Sequence, residues 1–248
     1  MRRSVMLVLV AALGLCGGAM ASDSYPAKPV KMIVPFSPGG TGDIVARLMA
    51  GKLAEGLGQS VYIENRGGGA SIIGTDGGAK AAPDGYTLTI TNGAAITTAP
   101  LIGQKLSYKP MDDFVHVFLI GSFPNMLVVR ADHPAKTLAQ FIDYARKEPK
   151  GVNCGSAGVG SAGFLAGELL QQQAKFRMVH VPYKGTGPAM TDLLGGQVDV
   201  LCDQTTNTTK QIQGGTIKAY AVTSPARLGN LPDIPTAEEG GLPGFQIG

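Results

Sequence analysis

The 248-residue sequence has little of what most metal and catalytic sites are made of. It contains three histidines, three cysteines and no tryptophan. Neither an H-E-x-x-H nor a C-x-x-C spacing occurs, so the common zinc motifs are excluded. A Walker A loop is absent, and no pair of carboxylates has an arrangement typical of acid–base catalysis. We therefore expect no metal and no other cofactor.

An excess of basic residues is also lacking. The chain has 21 Lys and Arg against 18 Asp and Glu. Two of the basic residues, Arg2 and Arg3, lie at the N-terminus, and without them 19 basic residues face 18 acidic ones. A nucleic-acid surface needs clustered Lys and Arg, so nucleic acid is excluded as a partner.

Long apolar runs are absent except at the N-terminus. There the basic pair is followed by an apolar run from Val5 to Leu15 and by the tripeptide AMA at 19–21. This order is typical of a cleavable signal peptide, and the run is short for a membrane span. We predict that residues 1–21 are removed and that the mature chain, beginning near Ser22, is exported to the periplasm. A membrane anchor is the alternative.

The rest of the sequence alternates short apolar runs with amphipathic segments. After the strand-like VKMIV at 30–34, Val45, Met49 and Leu53 recur at helical spacing. Repeated alternation of this kind predicts βαβ units with parallel-rich sheets, an α/β fold. We assign residues 22–122 with 223–248 to a first lobe and residues 123–222 to a second. Two strands, FVHVFLIG at 114–121 and NMLVVR at 125–130, are predicted at their junction.

Two cysteines, Cys154 and Cys202, remain after the predicted cleavage, and each lies at the end of a predicted strand. An exported chain could join them in a disulfide. Neighbouring parallel strands seldom provide disulfide geometry, so two small buried residues are the other interpretation.

Loops of small residues connect strands to helices at two places, PFSPGGTGD at 35–43 and CGSAGVGSAG at 154–163; ENRGGGASIIG at 64–74 is a third example. Ligands of open parallel sheets lie beyond the carboxyl ends of the strands. A helix that begins there presents free amides and a positive dipole end, which favour an anion. Two lobes could therefore hold an anion from both sides. Ordinary strand–helix turns are the alternative, and Asp43 is expected to serve the first helical turn.

Residues 158–163 also match the dinucleotide fingerprint G-x-G-x-x-G between a predicted strand and a helix. The next strand ends in Tyr183 and Lys184, and it offers no acid for a ribose hydroxyl. This argues against a nucleotide cofactor.

Hydrolysis through Ser156 is the remaining enzymatic possibility. Cys154 occupies the position at which a nucleophile elbow requires glycine. His116, His133 and His180 are not at an obvious strand end beside Ser156, so we expect structural or surface roles for all three.

Five blocks of sequence resemble the periplasmic solute-binding receptors of tripartite tricarboxylate transporters, the Bug family. They are residues 25–53, 61–88, 154–170, 181–200 and 227–245, which include PFSPGGTGD, ENRGGGAS, CGSAGVGSAG, YKGTGPAM and NLPDIPTAEEGG. The resemblance implies a type II periplasmic-binding-protein, or Venus-flytrap, fold. It also implies capture of a small carboxylate by backbone groups of two opposed loops, and delivery to the permease subunits of a transporter. We expect a monomer without catalytic activity.

The resemblance also implies which residues line the ligand site. The candidates are Phe36, Ser37, Gly39, Gly40, Thr41 and Asp43 in the first loop, Ser156, Ala157, Gly158, Val159 and Ser161 in the second, and Thr186, Asp203, Ser71 and Asn92 around them.

Three departures from the family pattern qualify these expectations. Phe164 stands where a histidine is frequent, and Ser71 stands where glycine is common. Family members continue past GLPGF at 241–245, so the first lobe is predicted to be incomplete at its C-terminal end.

A sensory receptor that presents its ligand to a membrane histidine kinase is the alternative function, and an exported enzyme is a remote one.

Overall fold

The computed structural model describes residues 25–248. The predicted signal peptide at residues 1–21 lies outside the described residues. Between residues 25 and 248, no helix is both long and apolar enough to cross a membrane.

The N-terminal part of the described chain forms a three-stranded parallel sheet of order β2-β1-β3. The central strand pairs on both edges, and its Val30, Ile33 and Val34 have no exposed surface. The elements of this N-terminal part are β1 (Val30–Val34), α1 (Thr41–Leu57), β2 (Val61–Asn65), a 3-10 turn (Gly69–Ser71), α2 (Ile72–Ala79), β3 (Thr87–Thr89) and a π-helical turn (Ala94–Thr98) that continues into α3 (Ala99–Leu101).

The following residues form a five-stranded mixed sheet of order β6-β5-β7-β4-β8. Strand β5 pairs in parallel with β6 and β7, whereas β4 runs antiparallel to β7 and β8. Its elements are β4 (Asn125–Arg130), α4 (Leu138–Lys147), β5 (Val152–Ser156), α5 (Ala162–Ala174), β6 (Met178–Pro182), α6 (Thr186–Leu194), β7 (Val200–Gln204), α7 (Thr205–Gln213) and β8 (Ile217–Val222).

This topology brings three helix N-termini to one edge of the second sheet. Helices α5, α6 and α7 each follow directly on a strand of the parallel set β5, β6 and β7. Parallel strands have their carboxyl ends at the same edge, so the three helices begin there together.

Apolar side chains of the helices cover the faces of the five-stranded sheet. Helix α4 buries Leu138, Phe141 and Ile142 on one side, and the Thr137 hydroxyl caps its start by accepting a hydrogen bond from Gln140 N at 3.2 Å. Leu170 of α5 and Phe141 have no exposed surface. Full burial of one such side chain contributes about 1.5–3 kcal/mol.

The α/β class with parallel-rich sheets is as predicted, but the strand predicted at 114–121 is wrong. Residues 114–124 have no regular secondary structure, and Val115 and Leu119 are 92% and 86% exposed. An apolar run becomes a strand only when a neighbouring strand pairs with it, and neither sheet includes this segment.

The segment 223–248 was assigned to the first lobe, whereas its apolar side chains pack on the five-stranded sheet. Ala237, Leu242 and Phe245 belong to the same buried cluster as Phe141. Thr236 forms a parallel bridge with Val222, which places the segment beside β8. The bounds of the two lobes stay a prediction.

Cys154 and Cys202 are free thiols, and both lie in the core between β5, β7 and α5. A hydrogen bond with Cys154, together with burial, raises the pKa of the Cys202 thiol. The structure therefore has two small buried residues at these positions, and no disulfide joins them.

Candidate functional site

The loop between β1 and α1 is organised by Asp43. The carboxylate is buried and accepts hydrogen bonds from Gly39 N at 3.0 Å, Arg47 Nε at 2.9 Å and Asn65 Nδ2 at 2.9 Å. Burial raises the pKa of Asp43, but the hydrogen bonds from Arg47, Gly39 and Asn65 outweigh it, so the pKa lies below its usual value. Asp43 therefore holds the turn in shape from behind, as expected for an acid in the first helical turn.

The same loop leaves several amides available. Ser37 N donates to Lys184 O at 3.0 Å, and Gly39 N is taken by the carboxylate. No described residue accepts a hydrogen bond from the amides of Gly40, Thr41 or Gly42. These amides stand at the positive end of a 17-residue helix.

A second helix start faces these amides from the other sheet. A Cβ placed on Gly40 would lie 2.8 Å from Thr186 Oγ1 and 3.0 Å from Gly187 N, and one on Gly187 would lie 2.4 Å from Pro38 O. The close approach is possible because both positions are glycine. The N-termini of α1 and α6 thus meet across the cleft. Two positive dipole ends in contact favour an anion beside them.

Helix α7 contributes a third polar group to the same place. Thr206 Oγ1 donates to Thr41 Oγ1 at 2.7 Å, a hydrogen bond that joins the two sheets. Asn207 Nδ2 donates to Asp203 and lies 3.5 Å from Thr186 Oγ1. Sequence reasoning missed Thr206 and Asn207. The run TTNTT at 205–209, directly after a strand end, was the available signal.

Asp203, at the carboxyl end of β7, is 1% exposed. It accepts hydrogen bonds from Gln204 N at 2.7 Å and from Asn207 Nδ2. Burial raises the pKa of Asp203 to about 6, and Asn207, Gln204 N and the nearby Thr186 hydroxyl offset only part of the effect. Within residues 25–248, no Lys, Arg or His forms an ion pair with it.

The second predicted loop is held from within by Ser156. Gly158 N donates to Ser156 Oγ at 3.1 Å, and Ser156 Oγ lies 2.6 Å from His180 Nε2. The Ser156 hydroxyl has two acceptors within reach for its proton, His180 Nε2 at 2.6 Å and Gly158 O at 3.4 Å. Ser161 ends the loop as the cap of α5, accepting from Phe164 N at 3.3 Å. The amide of Gly158 is therefore used inside the loop, whereas the neighbouring amides of Ala157 and Val159 have no acceptor among the described residues.

The expectation that no histidine lies beside Ser156 is wrong. His180 is the third residue of β6, which pairs with β5, and the sheet register brings its ring to the serine. Burial lowers the pKa of His180, and the field of Glu168 opposes this only in part. The ring of Phe164 packs edge-on against it at 4.7 Å between centroids. The pairing was not visible in the sequence because the two residues are 24 positions apart.

Across the cleft, the second loop meets the turn at 69–71. A Cβ on Gly158 would lie 3.2 Å from Ala70 N. Ala70 and Ser71 have φ of 51° and 82°, left-handed values that cost a residue other than glycine about 1–2 kcal/mol. Ser71 Oγ donates to Asn92 Oδ1 at 2.6 Å, so these two candidates lie together.

The structure therefore sorts the sequence candidates into two groups. Residues 36–43 meet Thr186 and α7, close to Asp203, whereas residues 156–161 meet the turn that contains Ser71. In the described part of the chain, no group of three or more His, Cys, Asp or Glu could hold a metal ion.

Residues 45–247 match the family model described as "Tripartite tricarboxylate transporter family receptor". Three solved structures are similar to this chain, and each aligns over 90% of it. The periplasmic binding protein BugD is 42% identical with a TM-score of 0.86, over 74% of its own chain. MatC from Rhodopseudomonas palustris with bound malate is 38% identical with a TM-score of 0.84, over 76% of that chain. R. palustris Rpa4515 with adipate is 36% identical with a TM-score of 0.86, over 74% of that chain.

Proposed function

Because this chain belongs to the tripartite tricarboxylate transporter receptor family, a family of solute-binding receptors, we propose that it is an exported protein that captures a small carboxylate between its two sheets. The observation that carries the proposal is the meeting of the α1 and α6 N-termini across the cleft, with free amides at Gly40, Thr41 and Gly42. Main-chain amides at a helix start bind a carboxylate without any basic side chain.

The strength of such a site is adequate for a transport receptor. A hydrogen bond to a charged group contributes about 1.5–3 kcal/mol. Four to six of them give micromolar affinity, about −8 kcal/mol, after the costs of association are subtracted. The Thr41 hydroxyl accepts a hydrogen bond from Thr206 and keeps its own proton, so it adds a further donor beside the amides.

The relatives narrow the chemistry of the solute. MatC holds malate and Rpa4515 holds adipate, and both ligands are dicarboxylates. We propose a dicarboxylate or a closely related organic acid for this chain too. The binding residues proposed are those of the sequence analysis together with Thr206 and Asn207.

Delivery completes the proposed cycle. The lobes close around the solute in the periplasm by a hinge motion, and the closed receptor passes it to the permease subunits of a tripartite transporter without chemical change. The contacts of Ser37 with Lys184 and of Thr41 with Thr206 support closure, since each joins the two sheets.

Isothermal titration against a panel of carboxylates tests the proposal. The panel contains malate, succinate, adipate, citrate, aspartate and benzoate, and we expect micromolar binding of at least one dicarboxylate. Gly40→Val, which covers the α1 amides, should abolish it, and Gly51→Ala is the matched control because nothing lies within 4 Å of that position. Folded wild-type protein that binds none of the panel would refute the proposal.

A further inference from the structure

Asp203 is an unusual group to find at a site for anions. It is a carboxyl group, 1% exposed, with no cationic partner among residues 25–248. An unpaired buried charge is costly, and the raised pKa of Asp203, about 6, expresses that cost. At neutral pH the group is still mainly ionised, and it then accepts hydrogen bonds and donates none.

Asp203 is connected to the facing helix starts through Asn207 and Thr186. The Thr186 hydroxyl lies close enough to Asp203 to lower its pKa, and its oxygen would lie 2.8 Å from a Cβ on Gly40. Asn207 bridges the two, because its side-chain amide reaches both Asp203 and Thr186. A solute held by the α1 amides therefore lies beside this carboxylate.

Tying down the loop does not by itself require a charge at this position. The bonds from Gln204 N and Asn207 Nδ2 fall on different oxygens of the carboxylate. An asparagine would keep an oxygen for Gln204 N, and its amide would donate to Asn207 Oδ1 once the Asn207 amide turns over, without the cost of ionisation. A carboxylate has about four acceptor positions, and two donors of the protein, Gln204 N and Asn207 Nδ2, occupy part of them. The remaining capacity suits a donor brought by the solute.

We propose that Asp203 is a specificity-determining residue that selects carboxylates with a hydroxyl or ammonium group next to the anchored carboxylate. The solute's donor bonds to Asp203, while its carboxylate lies on the helix amides. A plain dicarboxylate offers no donor and meets the repulsion of a like charge, so it binds more weakly. The inference rests on the proposed function and names the class of acid that the site prefers.

The experiment uses ligands of matched size. L-Malate, L-aspartate, succinate and methylsuccinate are titrated into the wild-type protein, Asp203→Asn and Asp199→Asn. Methylsuccinate fills the space of the malate hydroxyl without a donor. Asp199 precedes the same strand at its opposite end, where it accepts from Asn153 N at 2.7 Å, so its variant is the matched control.

We expect wild-type protein and Asp199→Asn to bind malate or aspartate about tenfold or more tightly than succinate and methylsuccinate. Asp203→Asn should lose at least tenfold in affinity for malate and aspartate, and its affinity for succinate and methylsuccinate should not change. Equal losses for all four ligands would make Asp203 a structural residue and overturn the inference. So would a wild-type protein that binds all four alike, even if the variant cannot be obtained folded. Carboxylate binding without discrimination thus leaves the proposed function standing, whereas no binding at all refutes that function.

Discussion

Substitution of Gly187 by alanine separates closure of the cleft from stability of the fold. The new methyl group would lie 2.4 Å from Pro38 O, whereas ordinary van der Waals contact begins at 3.4 Å. The two sheets would have to move apart by about 1 Å at this point, since the obstacle is backbone rather than a flexible side chain.

The magnitude follows from the cost of overpacking. Insertion of a methyl group into a tight contact costs about 1–3 kcal/mol. Here that cost falls on the closed form alone, because opening removes the clash. If the solute binds only the closed form, its affinity falls about 5- to 150-fold.

Stability of the ligand-free protein should change little or rise. Gly187 lies in the first turn of α6 without a positive φ, so alanine is accepted by the backbone. Replacement of a helical glycine by alanine gains up to about 1 kcal/mol. Loss of affinity together with unchanged or greater stability is therefore the expected signature.

The assay combines isothermal titration of the tightest-binding dicarboxylate with urea denaturation of the ligand-free protein. The control is Gly51→Ala, at a position in the middle of α1 with no atom within 4 Å. This variant should gain the same stability and should bind the solute with wild-type affinity. Wild-type affinity in the Gly187 variant would show that the bound form does not need this contact, and the reasoning on closure would be wrong.

Three further predictions concern buried charges. Burial raises the pKa of Asp203 from its ordinary value of 3.8 to about 6, so the native state loses stability as pH rises from 4 through 6. Asp203→Asn should therefore recover roughly 3 kcal/mol at pH 7 and little at pH 4 in urea denaturation. Equal gains at both pH values would contradict this. Burial lowers the pKa of His180, so the folded protein loses stability as pH falls below about 6.5. Between pH 7 and pH 5, the melting temperature of His180→Gln should therefore fall less than that of the wild type. The control is His116→Gln at an exposed position, which should behave like the wild type. Asp43→Ala removes the buried partner of Arg47 and should lower the free energy of unfolding at pH 7 by about 1.5–3 kcal/mol, and an unchanged urea midpoint would exclude the role given to Asp43.

Much of the fold could be predicted because its signals are local. The alternation of apolar runs and amphipathic segments predicted β1, α1 and β4, and the small-residue loops predicted the helix starts of α1 and α5. The failure was non-local. The run at 114–121 has strand composition but no neighbouring strand to pair with. The packing of residues 223–248 also depends on distant partners, since Thr236 bridges Val222 and Phe245 lies in one cluster with Phe141.

The candidate site divides in the same way. Glycine-rich turns before α1 and α5 are legible in the sequence as helix starts that favour an anion, because the amide geometry of a helix N-terminus depends only on the residues within one turn. The residues that contact each turn from the other sheet cannot be predicted from local sequence patterns. Thr206 reaches Thr41 over 165 positions, and Ser37 meets Lys184 over 147. Such pairs depend on the order of strands in the sheets and on how the two sheets meet, and no local pattern of residues encodes either.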